Sequence, residues 1–284
     1  MRHHIFIGAL ALWLGAASAV AGPIRDKLQE RRAAGAQHGV LRDIAYGADP
    51  RQRFDVYLPQ QASPGAPVIF MVHGGGWRTG DKAEAAVVRN KAPYFTARGS
   101  VFISINYRMR PDADPLLQAQ DVALALASAQ QQAAAWGADR RRFVLMGHSA
   151  GAHLVALLAA QPALAPGASW LGAVVLDSGA LDVVQIMEGR HMPLFDKAFG
   201  SDPAFWRKAS PAHVLQAGAQ PVLMVCSSER TVSCRQAHDF AASLGQRGAR
   251  GQVLEQAKSH REINLELGGD AAYTAQVQAF IDSL

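Results

Sequence analysis

The chain has 284 residues, 49% of them apolar, and a formal charge of +5 at neutral pH. That much apolar material excludes a largely disordered chain and suits one large α/β domain or two small ones. The basic residues are scattered rather than gathered into a tail, and no zinc, helix-turn-helix or RNA-binding signature accompanies them, so no nucleic-acid partner is expected.

In chain order, the first segment reads as an address. Arg2, His3 and His4 precede an apolar run from Ile5 to Leu14, and Ala19-Val20-Ala21 has the small-x-small form of a cleavage site. Residues 1–21 are therefore expected to be a signal peptide cut after about Ala21, with no stable membrane insertion afterwards. The mature protein is expected to be periplasmic or secreted. Residues 22–39 form a charged, Ala/Gln-rich extension with at most a short helix. A single domain is expected over 40–284, with no repeats and no dividing linker.

Strands are predicted over 40–46 and 51–57, joined by Gly47-Ala48-Asp49-Pro50 into a hairpin at a sheet edge. Val68 to Val72 is a short all-apolar strand of the kind found inside a parallel sheet. It runs directly into His73-Gly74-Gly75-Gly76-Trp77, where bare glycine amides are free to meet negative charge. A helix over 83–98, shortened or kinked by Pro93, precedes a buried strand over 101–105. A long helix over 115–134 follows.

Phe143 to Met146 reads as the next buried strand. Gly147-His148-Ser149-Ala150-Gly151 and a Leu/Ala-rich helix come after it. Strand, sharp turn and helix with Ser149 at the apex is the setting of a nucleophile elbow, in which the amide of Ala150 faces the developing oxyanion. Further strands are predicted over 171–176, 221–226 and 251–254, with helices over 235–244 and 270–281. Residues 180–219 are irregular and rich in large apolar groups. Alternation of buried strands with helices predicts a doubly wound, mostly parallel α/β sheet with helices on both faces and no large cap domain.

Cys226 and Cys234 are the only cysteines. In an exported protein an isolated pair favours a disulfide over two free thiols, and neither residue has metal-ligand spacing. The glycine run lacks the phosphate-loop layouts, so neither a cofactor nor a metal is expected.

With these pieces in place, the chain resembles the α/β-hydrolase carboxylesterases with an HGGGW oxyanion motif. That group is similar to the hormone-sensitive-lipase, feruloyl esterase, acetyl xylan esterase and arylformamidase families. The resemblance spans roughly 40–284 and rests on His73 to Trp77, Gly80-Asp81-Lys82, Asn106-Tyr107-Arg108 and Gly147 to Gly151. It implies a triad in the chain order serine, acid, histidine. Ser149 matches the nucleophile. His260, on a loop after the last strand, matches the base in preference to His238, which falls inside a helix. The family's usual aspartate after the penultimate strand is replaced here by Ser227-Ser228-Glu229-Arg230, so Glu229 is expected to be the acid, with Asp177 and Asp239 as alternatives.

The resemblance also assigns the oxyanion hole to the amides of Gly75, Gly76 and Ala150. It leaves Trp77, His148, Met187, Phe195 and Trp206 as candidate pocket walls. A disulfide would clamp the loop that carries Glu229. The implied function is serine carboxylesterase on a small-molecule ester, such as a short-chain or aryl ester. An arylformamidase-type amidase, a catalytically silent binding protein of the same fold and a peptidase are the rivals. Nothing in the chain specifies an oligomeric state.

Overall fold

The structure, a computed structural model, describes residues 39–61 and 64–284. The expected signal peptide and most of the expected N-terminal extension lie outside the described residues.

Eight strands form one sheet in the order β1-β2-β4-β3-β5-β6-β7-β8. They are β1 (Val40–Ala45), β2 (Arg53–Tyr57), β3 (Ala66–Val72), β4 (Val101–Ile105), β5 (Ala138–His148), β6 (Gly172–Leu176), β7 (Val222–Ser227) and β8 (Gly251–Gln256). The β1–β2 and β2–β4 pairs are antiparallel, and every other pair is parallel. The expected edge hairpin and parallel core are both present.

The helices are α1 (Ala85–Val88), α2 (Lys91–Ala97), α3 (Pro115–Gln132), α4 (Ala150–Ala160), α5 (Val183–Glu188), α6 (Pro193–Phe199), α7 (Pro203–Lys208), α8 (Pro211–Val214), α9 (Thr231–Gln246), α10 (His260–Glu266) and α11 (Ala271–Asp282). Alternation along each strand divides the core between the two faces of the sheet. Val68, Phe70 and Val72 of β3 pack with α3 and α4, while Ile69 and Met71 pack with Ile263 of α10 and Tyr273 and Val277 of α11. Strands apolar on both sides are what a sheet covered by helices on both faces requires.

Several boundaries differ from the sequence expectation. The helix expected over 83–98 is two short helices, α1 and α2, and Pro93 sits in the first turn of α2, where its missing N–H costs no hydrogen bond. Strand β5 begins at Ala138 rather than Phe143, because Ala138 pairs with Ala66 ahead of a register shift. Residues 180–219 hold four short helices, α5 to α8, three of them with proline at the start. Helix α9 starts at Thr231, and the loop expected at His260 is the first turn of α10.

Candidate active site

The carboxyl ends of β3, β5, β6, β7 and β8 meet in one region, the usual place for a site in an open α/β sheet. Ser149 sits at the turn from β5 into α4 with φ 55° and ψ −118°, a left-handed conformation rare outside glycine. The flanking glycines explain how the turn closes. A Cβ on Gly151 would overlap the carbonyl oxygens of Val72 and His73, and one on Gly147 would overlap the backbone of Gly151. The Ser149 N–H donates to the Leu176 carbonyl at 3.0 Å, tying the elbow to β6.

The glycine loop after β3 is packed onto this elbow. A Cβ on Gly74 would lie 2.9 Å from the His148 carbonyl oxygen. Gly75 has φ +118° and Gly76 φ +60°, and a side chain on Gly75 would strike the backbone of Thr79. His73 is fully buried, stacks on Tyr107 at 4.6 Å and donates from Nδ1 to the Gly74 carbonyl at 2.7 Å. Burial pushes it down to about 4, so it is neutral at ordinary pH.

The motif residues downstream hold the loop from outside. Tyr107 Oη donates to the His73 carbonyl at 2.9 Å. Asn106 accepts from the Lys82 N–H at 2.6 Å and donates to Asp81 at 2.8 Å. Trp77 is buried, and its Nε1–H donates to Nδ1 of His153 at 3.2 Å, while His153 Nε2 donates to the Ala209 carbonyl at 2.7 Å. His153, absent from the sequence expectation, thus joins the glycine loop to α4 and to the segment that carries α5 to α8.

His260 opens α10. Its position is fixed by a capping box, in which Ser259 Oγ accepts from the Glu262 N–H and the Glu262 carboxylate accepts from the Ser259 N–H at 2.8 Å. The other end of this short helix is held as well. Buried Lys91 donates to the Asn264 carbonyl, Asn90 Nδ2 to the Leu265 carbonyl at 2.7 Å, and Tyr273 Oη to the Ile263 carbonyl at 3.0 Å. Beneath His260, the ring of His148 lies 4.5 Å away and donates from Nε2 to the His260 carbonyl at 2.9 Å. Burial, and then the neighbouring His260, push His148 down to about 3, which keeps a second positive charge out of the site.

The carboxylate that meets His260 is Asp177, the first residue after β6. Its Oδ2 lies 2.6 Å from His260 Nδ1. The sequence expectation put Glu229 here with Asp177 in reserve, and the structure reverses that order. Glu229 and Asp239 are exposed, and neither hydrogen-bonds to His260. Asp177 is fully buried and accepts four hydrogen bonds: from His260 Nδ1 and Arg230 Nη1 at Oδ2, and from the Ser227 N–H and Ser233 Oγ at Oδ1.

Burial alone would raise its pKa. The bonds from His260 and Ser233, with the charge of Arg230, outweigh burial and hold the group below the usual carboxylate range. Arg230 Nη1 also comes within 2.8 Å of His260 Nδ1. Guanidinium carries no acceptor, so this proximity reflects two donors sharing one oxygen of Asp177. Ser233 is a buried serine on α9 that serves the aspartate, whereas Ser149 is the partly exposed one at the elbow.

Ser149 and His260 line one cavity of about 260 Å³ together with Gly76, Ala150, Trp77 and Phe195. Two of the candidate walls are therefore in place. His148 lies beneath His260, Met187 is buried in the core around α5, and Trp206 is pinned through Nε1 to the Gly200 carbonyl, none of them on this cavity. Gly75 is likewise one residue behind its lining.

Cys226 and Cys234 form a disulfide with Cα atoms 5.1 Å apart. It bridges β7 to the first turn of α9, and within the closed segment Ser227, Arg230 and Ser233 all bind Asp177. His238 is on the exposed face of α9 and pairs with Glu255. No cluster of His, Cys, Asp and Glu among the described residues is arranged to hold a metal ion, and no helix among them is long and apolar enough to cross a membrane. The arrangement of elbow serine, histidine and buried aspartate is that of a serine hydrolase.

Comparison with known proteins agrees with this geometry. The chain is similar to isoprenylcysteine alpha-carbonyl methylesterase of Arabidopsis thaliana, at 26% identity over 80% of this chain and 58% of that one. It is also similar to kynurenine formamidase of Danio rerio, at 33% identity over 42% of this chain and 38% of that one. The match spans between about a quarter and three fifths of the length of the plant relatives. Among solved structures, esterase B from Lactobacillus Rhamnosis shares the fold, with a TM-score of 0.70 at 19% identity, covering 91% of this chain and 95% of that one. The profile of the BD-FAE family matches residues 54–244, which carry the glycine loop, the elbow and the aspartate. This chain therefore belongs to the BD-FAE family, a feruloyl-esterase-like group of α/β-hydrolase-fold esterases.

Proposed function

We propose that this chain is a serine carboxylesterase that hydrolyses small or aryl carboxylic esters through an acyl-enzyme on Ser149. The observation that carries the reading is the 2.6 Å bond from His260 Nδ1 to buried Asp177, with the His260 ring and Ser149 on one cavity. With Nδ1–H held by Asp177, Nε2 is the nitrogen left to act as base. Ser149 Oγ attacks the ester carbonyl carbon as its proton passes to His260, and the carbonyl oxygen becomes the oxyanion.

The amides of Gly76 and Ala150, on the same cavity, are the donors for that oxyanion, with Gly75 the next amide back in the loop. Each such donor contributes on the order of 3 kcal/mol to the transition state. The alkoxide leaves with the proton from His260. Water, deprotonated by His260, then releases the acid and restores Ser149. The tight bonding of Asp177 keeps it ionised opposite the imidazolium throughout.

The amide reading rests on the similarity to kynurenine formamidase and uses the same groups. A panel of 4-nitrophenyl esters from acetate to decanoate, with methyl ferulate and formylkynurenine, separates the two. In wild type, esters of short or aryl acids are expected to turn over fastest. Ser149→Ala is expected to lose about a millionfold in kcat. Hydrolysis that survives this substitution removes Ser149 as nucleophile, and formylkynurenine outrunning every ester turns the assignment to amidase.

We place the enzyme's work outside the cytoplasm, a reading supported by the leader-like residues 1–21 and by the disulfide. An exported product with its N-terminus at Gly22 is the expected mass-spectrometric result.

A further inference from the structure

The guanidinium of Arg230 is only half used by the protein. All of its hydrogen bonds run from Nη1 to Asp177, and the same nitrogen is the one beside His260. The side-on edge, Nε–H with Nη2–H, has no acceptor among the described residues. A Cβ on Gly179 would lie 3.2 Å from Nη2, so the absence of a side chain at Gly179 keeps that edge uncovered. Both Arg230 and Gly179 line the cavity of Ser149 and also a second, adjoining cavity of about 470 Å³.

That second cavity brings Arg190 and Arg235 to its wall, and Glu229 is the carboxylate there. Neither arginine has a carboxylate partner among the described residues, and both are exposed. His191, also on this wall, is already committed to Asp196 at 2.9 Å, outside the lining. A planar fork beside the reacting serine, with two further guanidiniums beyond it, is the geometry that binds a carboxylate in bidentate fashion.

We infer that the second cavity is an anionic-substituent subsite, and that the preferred substrates of this enzyme are esters that carry a free carboxylate on the acyl or the alcohol part. The inference rests on the esterase reading of the first cavity and names the substrate class for it. Electrostatic attraction draws the anionic ester toward the mouth, and the Arg230 edge orients it across Gly179 with its carbonyl over Ser149. Because Arg230 also holds Asp177, its substitution would disturb the triad, so the test is placed on Arg190 and Arg235.

Matched pairs of substrates carry the test. On the acyl side, mono-4-nitrophenyl adipate is compared with 4-nitrophenyl hexanoate. On the alcohol side, 3-carboxyphenyl butyrate is compared with 3-carbamoylphenyl butyrate. For at least one pair, wild-type kcat/KM is expected to favour the anionic member by about tenfold, the scale of one charge-assisted contact, and the preference is expected to shrink in 0.5 M salt, on the order of what screening removes. In the Arg190→Gln/Arg235→Gln double variant the preference is expected to shrink severalfold, to the share that Arg230 keeps, while the neutral esters are unaffected. Which pair responds tells which part of the ester carries the charge.

Neutral members hydrolysed as well as or better than both anionic ones, or a preference undiminished in the double variant, overturns the subsite while leaving the esterase standing. Failure to hydrolyse any ester overturns the esterase reading instead. In that event, calorimetric titration of Ser149→Ala with monomethyl adipate against methyl hexanoate decides the subsite. Tighter binding of the anion, weakened in the double variant, supports it, and equal binding overturns it.

Discussion

The two halves of the site are built by different means. The nucleophile half, the glycine loop after β3 and the elbow after β5, is a matter of backbone geometry. Its close approaches are possible only because glycine stands at 74, 75, 147 and 151, and its positive φ angles fall at Gly75, Gly76, Trp77 and Ser149. The acid–base half is a matter of side chains. Asp177, Arg230, Ser233 and His260 come from three segments and are assembled by hydrogen bonds spanning 53 to 83 residues of chain. The first kind of construction is written locally, in a motif. The second depends on which strand ends become neighbours, and it leaves only a faint trace in any one stretch of sequence.

The sharpest way to separate the halves is to remove their acids. Asp177→Asn should lower kcat by about 10⁴, because the histidine loses the group that fixes its tautomer. Glu229→Gln should leave turnover on neutral esters within about twofold, since it lies on the surface away from His260 and surface charges contribute little. Steady-state kinetics of both variants checks the pair, and the reverse result would restore Glu229 to the role.

The backbone half should break through folding rather than chemistry. Gly151→Ala places a methyl group against two carbonyl oxygens of β3 and its loop, and it should cost on the order of 3 kcal/mol in a urea melt. An unchanged midpoint would mean that the strand end and the glycine loop yield to a side chain at the elbow.

The side-chain half should weaken when its clamp is opened. Cys226→Ser/Cys234→Ser removes a link across eight positions and should cost about 2.5 kcal/mol by chain entropy. It should also lower kcat more than it changes KM, since the loop that holds Asp177 is loosened. Equal stability with equal kcat would show the clamp to be idle.

Acid brings the halves together. His73 belongs to the first half and His148 to the interface with the second, and both are buried neutral, at about 4 and 3. The unfolded chain protonates these two rings near 6.5, whereas the folded one keeps them neutral down to about 4 and 3. Between those values the unfolded state binds more protons, so stability falls as pH drops from about 6.5 toward 4. The depressed Asp177 adds its own loss only below about 3.9, the ordinary aspartate value. Urea midpoints measured from pH 7 to 4 should decline steadily, and a flat profile would contradict the buried neutral state of both rings.

How much of this was legible follows the same division. The sheet, its edge hairpin and Ser149 could be read because alternation and the glycine spacing act over a few residues. Asp177 stood only as an alternative, since nothing near Leu176-Asp177-Ser178 announces that the end of β6 lies beside α10. The helix start at His260 was within reach. Ser259 and Glu262 have the spacing of a capping box, a signal that outweighs the expectation of a loop at His260. His153 and Arg230 were invisible in sequence because their roles exist only once Trp77 and Asp177 have been brought to them from 76 and 53 residues away.

The left-handed backbone at Ser149 has an evolutionary corollary. A branched β-carbon is poorly tolerated at φ 55°, so threonine cannot inherit the position even though it offers the same hydroxyl. Cysteine, unbranched and of similar size, can. Descendants of this scaffold that trade their reactive atom are thus confined to oxygen or sulfur on a single methylene, and thiol chemistry is the nearest neighbouring trade open to the lineage.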